Sequence, residues 1–336
     1  MSHPHEGAVD LVEIWRGDLI ESVHRGHAVV CDAEGRIVES WGDPEAVIYP
    51  RSSCKMLQAL PLLESGAGDN LRSEQLALAC ASHNGAAIHT ERVNAWLGEL
   101  GLTDDDFRCG PQMPDDREAR YGLIRAHESP CQVHNNCSGK HAGFLMLNQH
   151  LGGGSEYQEV DHPVQAAVRA AFEEVTGETS PHWSPDGCSA PNFACSVHGL
   201  ARAMSFFATA DERTDSRSRS ARRLFEAMVA HPDLVAGETR ACTDLMRAMD
   251  GRVAVKTGAE GVFIAIIPEK KLGVALKIAD GATRASESAL AAILVRLGML
   301  DPKDPAALAR MQPPILNRRE IVTGQIRPTA ALGGVH

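Results

Sequence analysis

The stretch YPRSSCK, residues 49–55, decides how the rest of the chain is interpreted. It runs directly into MLQALPLLES, an apolar run with helical spacing. Serine is a preferred helix N-cap and Pro50 suits a helix start, so the simplest interpretation is a cap. Ser52 and Lys55 also stand three apart, so on a helix they share a face, where a lysine amine can activate a serine hydroxyl. The spacing alone leaves both interpretations open.

The composition describes a globular chain with an acidic surface. Its 336 residues are 43% hydrophobic, which supplies a sizeable core. Aromatic residues make up only 4%, and 33 Lys plus Arg stand against 44 Asp plus Glu, for a net charge of -11. Binding to a phosphate backbone needs a basic face, and stacking on bases needs aromatic side chains. We therefore expect no nucleic-acid partner.

Three features predict a cytoplasmic protein with no membrane partner. The first residues, MSHPHEGAVDLVEIWRGD, contain neither the basic nor the apolar region of a signal peptide. The longest apolar stretches, GVFIAIIP and ALAAILVRLGML, are too short or too interrupted to cross a bilayer. The 9 cysteines are scattered without regular spacing, which is typical of a reducing compartment.

The pattern of elements predicts an α+β fold in one catalytic domain, residues 1–336. Its β-rich part comprises residues 9–48 and 252–300, where the later strands are RVAVKTG, EGVFIAIIP and LGVALKIAD, the last two joined as a hairpin at EKK. Its helical part comprises residues 51–250. The predicted helices cover 51–65, 73–85, 87–102, 161–176, 189–207, 217–230, 238–249 and 283–299. We therefore expect an antiparallel sheet that is built from both termini and flanked by helices, with a helical region inserted between its two parts in the sequence.

Three short motifs occur in a meaningful order. They are Ser52-x-x-Lys55, Ser82-His83-Asn84 and Lys256-Thr257-Gly258. In this order, S-x-x-K, S-x-N and K-T-G are the signatures of class A β-lactamases and penicillin-binding proteins, so the chain is predicted to resemble that fold. A lysine can serve as base only if its pKa falls from about 10.4 towards about 7–8, which burial and a second cation promote. Lys256 is the natural second cation, and it could pair with Ser82 in the same way.

Longer segments resemble the asparaginase II family, the rhizobial-type or class 3 L-asparaginases. They are YPRSSCKMLQALPLLESGA, ACASHNG, CSGKHAGFL, DGCSAPNFA, HPDLVAG and VAVKTGAEGVF, and the likeness runs from about residue 9 to about residue 300. The resemblance implies a serine β-lactamase-like fold and the hydrolysis of L-asparagine to L-aspartate and ammonia. It implies catalytic pairs at Ser52 with Lys55 and at Ser82 with Lys256. It also implies a bound zinc and a homodimer.

The resemblance changes the interpretation of two cysteines. Cys137 and Lys140 stand three apart, and Cys188 lies near Asp186. By spacing alone C-x-x-K is no standard zinc pattern, and both cysteines would be taken as buried structural residues. The family likeness instead implies Cys137, Lys140 and Cys188 as zinc ligands, with Asp186 reaching the metal through water. His134 and His141 flank the site and are not expected to bind the metal.

Substrate contacts are expected around the same motifs. Arg51 is a candidate for the substrate carboxylate, because a guanidinium binds it bidentately, although a surface ion pair is an equally good account of Arg51. Asn84 and Gly258 belong to the S-x-N and K-T-G motifs that face substrate in the β-lactamase fold. By the same resemblance, the backbone N–H groups of Ser52 and Ala259 would form an oxyanion hole. Ser52 is predicted to be the acylated nucleophile with Lys55 as its base, and Ser82 is the alternative, because the resemblance does not separate the two roles.

Three rival functions share these motifs. A β-lactamase or D-Ala-D-Ala peptidase has the same set, but such enzymes are secreted and lack the cysteine–lysine cluster. A serine-dependent glutaminase differs in the length of the amide substrate. A non-catalytic binding protein on this fold would not need an intact Ser–Lys set. No role is assigned to the tail after about residue 315.

Overall fold

The computed structural model describes residues 6–333. Among these residues, the strands are β1 (Val9–Arg16), β2 (Leu19–Cys31), β3 (Ile37–Trp41), β4 (Val47–Ile48), β5 (Trp183–Pro185), β6 (Pro191–Phe193), β7 (Cys195–Ser196), β8 (Ala254–Gly258), β9 (Val262–Ile267), β10 (Leu272–Ile278), β11 (Pro314–Leu316) and β12 (Val322–Pro328).

The α-helices of the same range are α1 (Lys55–Glu64), α2 (Ser73–Ala79), α3 (Ala87–Glu99), α4 (Arg117–Ala126), α5 (Ser138–Leu151), α6 (Pro163–Thr176), α7 (Val197–Ala208), α8 (Ser216–Ala230), α9 (Pro232–Val235), α10 (Ala241–Ala248), α11 (Thr283–Arg296) and α12 (Pro305–Met311). Short 3-10 turns connect several of them, and one of these turns, Arg51–Cys54, leads into α1. No helix in the described range is both long enough and apolar enough to cross a membrane.

The main sheet has eight antiparallel strands drawn from both ends of the chain. Its order is β11-β12-β1-β2-β10-β9-β8, and β3 pairs with β2 beside this path. The N-terminal hairpin therefore lies next to the C-terminal hairpin of β9 and β10, through the pairing of β2 with β10. This confirms the predicted α+β fold with an antiparallel sheet built from both termini.

Two compact units divide the chain. The first unit comprises Met1–Ser53, Ala194–Thr209 and Asp244–His336, and the second comprises Cys54–Phe193 and Ala210–Thr243. The first unit holds the main sheet with α7, α11 and α12, and the second holds α1 to α6, α8 and α9 together with the short β5–β6 hairpin. The organisation as one catalytic domain stays a prediction.

Buried apolar strands and close helix contacts make up the core of the first unit. All six residues of β9 are buried, because α7 and α11 both pack against this strand. Helix α7 approaches β10 most closely at Gly273, where a Cβ would stand 2.1 Å from the backbone nitrogen of Ser205 and 2.3 Å from the Ala201 carbonyl oxygen. Only a residue without a side chain allows this approach.

Several sequence-based assignments differ from the structure, and one of them is the predicted helix 73–85, which ends as α2 at Ala79. The predicted helix 189–207 begins only at Val197, because residues 191–196 form β6 and β7 and the Ser196 hydroxyl then caps α7 by accepting from the Gly199 N–H at 2.8 Å. Helix α5 was not predicted. Ten of its residues are buried, so it lacks the polar face that produces a helical period in the sequence.

Candidate active site

The lysine of the S-x-x-K motif lies deep in the second unit. Lys55 is the first residue of α1 and is 1% exposed. Its ammonium donates to the Ala81 carbonyl oxygen at 2.5 Å and to the Ser82 hydroxyl oxygen at 2.9 Å. The structure therefore brings Lys55 together with Ser82, a pairing that the sequence motifs did not predict. A buried lysine beside a serine hydroxyl is an arrangement in which the amine can exchange a proton with that hydroxyl.

The segment around Ser82 is held by backbone pairing with the chain after α9. The Ser82 N–H donates to the Val235 carbonyl oxygen at 2.9 Å, and the Asn84 N–H donates to that of Ala236 at 3.0 Å. Asn84 packs against Gly237. A Cβ on Gly237 would stand 2.4 Å from the side-chain carbon Cγ of Asn84. Gly237 has a φ of +111°, which favours glycine. The S-x-N segment is thus fixed by main-chain contacts, and a role of Asn84 in substrate binding stays a prediction.

A second buried group gathers the predicted zinc ligands. Cys137 caps the start of α5, Lys140 lies in its first turn, and Cys188 lies in the turn of the β5–β6 hairpin. That turn is closed by the Asp186 N–H, which donates to the Ala190 carbonyl oxygen at 2.8 Å. The Lys140 ammonium donates to the Cys188 sulfur at 3.1 Å. Two thiols and an amine from distant parts of the second unit are therefore brought together.

The charges in this cysteine–lysine cluster stabilise one another. The interaction with Cys137 is the main cause that lowers the pKa of Cys188 well below its ordinary value, and the Lys140 ammonium acts in the same direction against the effect of burial. The same interaction, together with burial, raises the pKa of Cys137, whose thiol donates to the Asn136 side-chain oxygen at 2.9 Å. Burial acts to lower the pKa of Lys140, but the two cysteines and Asp186 raise it above its ordinary value. These directions favour a thiolate at Cys188, a thiol at Cys137 and an ammonium at Lys140.

Lys55 influences the cysteine–lysine cluster that contains Lys140, the other lysine of the second unit. The positive charge of Lys55 acts on both cysteines of the cluster in the direction that lowers the pKa of each thiol. His141, next to Lys140 in the sequence, shares a 2.8 Å hydrogen bond with the Tyr157 hydroxyl, and burial lowers its pKa well below the ordinary value. His134 lies 3.2 Å from the sulfur of Cys131.

The donor set suits zinc only if lysine is included. In the range 6–333 no group of three or more His, Cys, Asp or Glu side chains could hold a metal ion. Cys137 and Cys188 supply two sulfur donors, and the Lys140 nitrogen would be the third ligand once it is deprotonated. These residues fit a zinc site, and the presence of zinc stays a prediction.

The first unit carries the serine of the S-x-x-K motif and the K-T-G strand end. Ser52 lies in the 3-10 turn that begins at Arg51, whose φ of +54° is unusual for a residue other than glycine. The next residue, Ser53, is buried, and its hydroxyl donates to the Pro50 carbonyl oxygen at 2.7 Å. Lys256 lies on β8, is fully buried, and donates to the Thr257 carbonyl oxygen at 2.8 Å.

Gly258 joins these two segments of the first unit. A Cβ on Gly258 would stand 2.6 Å from the Pro50 carbonyl oxygen and 3.1 Å from the Ser53 backbone nitrogen. Gly258 is also the last paired residue of β8, opposite Val262, so the Ala259 N–H lies beyond the ladder. An oxyanion hole built from the Ser52 and Ala259 amides stays a prediction.

The close approach at Gly258 predicts a large effect of a small substitution. In Gly258→Ala the added methyl group meets main-chain atoms that cannot rotate away, so we expect the free energy of unfolding to fall by about 1–3 kcal/mol. Denaturant unfolding monitored by circular dichroism measures this change. Gly98→Ala is the matched control, because apart from its chain neighbours and the backbone of its own helix no atom of the described residues lies within 4 Å of the new Cβ. Equal stabilities of the two variants would contradict the close approach.

Comparisons with solved structures give distant similarities. A structure of Mglu in its tris and glutamate form is 12% identical with a TM-score of 0.45, over 82% of this chain and 60% of that one. A putative β-lactamase from Bacteroides dorei is 8% identical with a TM-score of 0.42, over 75% of this chain and 84% of that one. A β-lactamase from Mycobacterium bovis is 14% identical with a TM-score of 0.35, over 81% and 94%. The chain thus spans about 60% of the length of the Mglu structure.

The comparison with protein families is more decisive. The search of curated proteins found no match to the chain. The family model described as L-asparaginase II matches residues 12–328, which includes all three motifs and the cysteine–lysine cluster. This match confirms the resemblance predicted from the sequence. The chain belongs to the L-asparaginase II family.

Proposed function

We propose that this chain is an amidohydrolase that converts L-asparagine to L-aspartate and ammonia. The observation that carries the proposal is the buried Lys55 amine, 2.9 Å from a serine hydroxyl, in a chain of the L-asparaginase II family. Among residues 6–333 no carboxylate forms an ion pair with Lys55, and a buried cation of this kind is costly to fold, which supports a role in proton transfer. Membership of the family supports an amide substrate.

The proposed reaction has two steps. The Ser52 hydroxyl oxygen attacks the carbonyl carbon of the side-chain amide, and its proton passes to the Lys55 amine. The tetrahedral adduct collapses to an acyl-enzyme ester, and the leaving nitrogen takes a proton from the lysine and departs as ammonia. Water then cleaves the ester, which yields L-aspartate and restores the serine. The pairing of Ser52 with Lys55 is supported by their separation of three residues in the chain.

Other side chains of the motifs have proposed supporting roles. Ser82 and Lys256 would relay protons during the two steps, and Arg51 would bind the substrate carboxylate. The N–H groups of Ser52 and Ala259 would stabilise the oxyanion of the tetrahedral adduct. The bond from Lys55 to the Ser82 hydroxyl supports Ser82 as part of the proton path, and it also keeps Ser82 as the alternative nucleophile.

Ammonia release from purified protein tests the proposed activity. We expect faster release from L-asparagine than from L-glutamine, and no acylation by a chromogenic β-lactam. Faster release from L-glutamine would identify a glutaminase, and faster β-lactam turnover would identify a penicillin-type acyl hydrolase. Protein that binds amino acids but turns over none of these compounds would be a binding protein.

Zinc at the cysteine–lysine cluster is part of the proposal. Cys137, Lys140 and Cys188 would hold the metal, with Asp186 contacting it through water. When bound, zinc would supply a localised positive charge that orients polar groups of the substrate. We expect about one zinc per chain in the wild type and less than about a tenth of that in Cys137→Ser/Cys188→Ser, because two of the ligands are removed.

Metal analysis after extensive dialysis measures the zinc content. Cys131→Ser is the matched control, because Cys131 is exposed and should leave the zinc content unchanged. Stoichiometric zinc in the double variant would move the metal to another site. Repeating the ammonia assay with a chelator separates a zinc needed for turnover from one that only tunes binding. A homodimer and a cytoplasmic location remain proposals, and light scattering tests the first.

A further inference from the structure

A pocket on the first unit carries charges that the motifs did not reveal. It holds about 270 Å³ of free space and is lined by Val47, Ile48, Tyr49, Arg51, Glu260 and Lys277. This volume lies just below the range typical of sites for drug-sized ligands, so it fits a small molecule. Two cations and one carboxylate line the same small space. A ligand that carries both an anionic and a cationic group would meet an opposite charge for each of them here.

The sheet register places this pocket beside the K-T-G strand end. Gly258 pairs with Val262, and Val262 pairs with Lys277 on the next strand. Side chains directly opposite each other on neighbouring strands lie on the same face of a sheet, and so do residues two apart on one strand. Lys277 therefore lies on the face that carries Gly258 and Lys256.

Lys277 is held in place with part of its donor capacity unused. Its ammonium donates to the main-chain carbonyl oxygens of Glu260 at 2.5 Å and Ile278 at 2.8 Å. An ammonium has three N–H donors, so two carbonyl acceptors leave one for a ligand. Burial is the main cause that lowers the pKa of Lys277, and the Arg51 charge acts in the same direction. Within residues 6–333 no carboxylate forms an ion pair with it.

The acidic groups near Lys277 are positioned for other contacts. The Asp280 carboxylate lies 2.6 Å from the His24 ring nitrogen Nδ1. Glu260 has a φ of +59°, and its carboxylate oxygen Oε2 lies 2.7 Å from the point where a Cβ on Gly281 would stand. The carboxylate is thus packed over a glycine at the rim of the pocket. It forms no salt bridge with another described residue.

We propose that Lys277 and Glu260 recognise the two charged groups of an L-α-amino acid, with Lys277 binding the α-carboxylate together with Arg51, which lines the same pocket, and Glu260 binding the α-ammonium. This inference rests on the proposed function, because it concerns the amino-acid end of the same amide substrate. It assigns substrate selectivity to a strand, β10, that carries none of the three motifs. The two residues are specificity determinants that do not touch the scissile amide.

A purely structural role of Lys277 makes a different prediction. The lysine could serve only to hold the turn after β8 through the Glu260 carbonyl oxygen. Its loss would then weaken binding of every substrate analogue equally. Recognition of a carboxylate instead affects only ligands that carry one, so a comparison of ligands separates the two roles.

The test measures ligand binding by calorimetry in a Ser52→Ala background, where substrate is not consumed. In Lys277→Met we expect the Kd of L-asparagine to rise about 10- to 100-fold, while the Kd of L-asparaginamide, which lacks the carboxylate, changes little. In Glu260→Gln we expect weaker binding of L-asparagine and little change for succinamate, which lacks the α-ammonium group. Lys270→Met, an exposed lysine at the other end of the β9–β10 hairpin, is the matched control.

Each outcome decides the inference. Equal losses for L-asparagine and L-asparaginamide in Lys277→Met, or no loss at all, overturn it, and so does a Ser52→Ala protein that does not bind L-asparagine. A wild type that releases no ammonia, but binds L-asparagine in a way that depends on Lys277, contradicts the proposed reaction and supports the recognition site. The experiment thus distinguishes failure of the proposed hydrolysis from failure of the proposed recognition site.

Discussion

Ser52→Ala is expected to lower the rate of L-asparagine hydrolysis by about 10⁴-fold or more, as the loss of a nucleophile does in other serine hydrolases. Without the hydroxyl, no acyl-enzyme forms, and only substrate binding and oxyanion stabilisation remain. Substrate affinity should change little, because the hydroxyl contributes to the reaction rather than to the ground-state complex. Steady-state ammonia release gives kcat, and mass spectrometry of quenched wild-type protein detects the acylated serine.

The neighbouring Ser53 provides the control. Its hydroxyl donates to the Pro50 carbonyl oxygen, so Ser53→Ala should cost about 1 kcal/mol of stability and leave most of the activity. Substantial activity in Ser52→Ala, together with a loss in Ser82→Ala, would move the nucleophile to Ser82. That outcome would have a chemical basis, because Ser82 is the serine bonded to the Lys55 ammonium.

Lys55→Met is expected to remove most of the activity while the protein stays folded. The methionine side chain fills a similar volume, and the desolvation cost of the buried ammonium is removed together with its hydrogen bonds to Ala81 and Ser82. The catalytic loss should be about 10³-fold or more, because the base acts as a unit with the nucleophile. For the same reason the Ser52→Ala/Lys55→Met double variant should be no slower than the slower single variant. Kinetics and thermal unfolding of the four proteins measure both effects.

Two results would contradict this assignment of Lys55. Additive losses in the double variant would show that the two residues act in separate steps. A large fall in thermal stability of Lys55→Met, with activity per folded molecule retained, would show that the lysine is structural. In that case its bonds to the Ala81 carbonyl oxygen and the Ser82 hydroxyl would account for its burial.

Much of the sheet could be predicted because its signals are local. The run VFIAII in β9 is apolar throughout and is followed by a short polar turn and a second apolar strand, which predicts a hairpin at residues 268–271. Helix α5 could not be predicted in the same way, since burial on nearly all sides removes the periodic pattern. Strands β11 and β12 lie in the tail, to which the sequence assigned no role.

The sequence predicts which residue types form the candidate site, but not which of their side chains are in contact. The S-x-x-K spacing singles out Lys55, but the contact of its ammonium with Ser82 joins residues 27 positions apart. The contact of Lys140 with Cys188 joins residues 48 positions apart, and no local pattern indicates it. Lys277 is the one charged residue of β10, a signal that becomes meaningful only when the register places it on the face of Lys256.

The sequence by itself determined the family, the α+β fold class and the reactive residue types, because motif order and strand patterns are properties of neighbouring residues. The tertiary structure decided which side chains meet: Lys55 with Ser82, Lys140 with Cys188, and Lys277 with the Glu260 turn. These contacts depend on how buried helices and strands pack, and packing is set by the shape of the whole core rather than by any one segment. The motifs therefore indicate which reactive groups the protein has, and the packing of the core decides which of these groups are in contact.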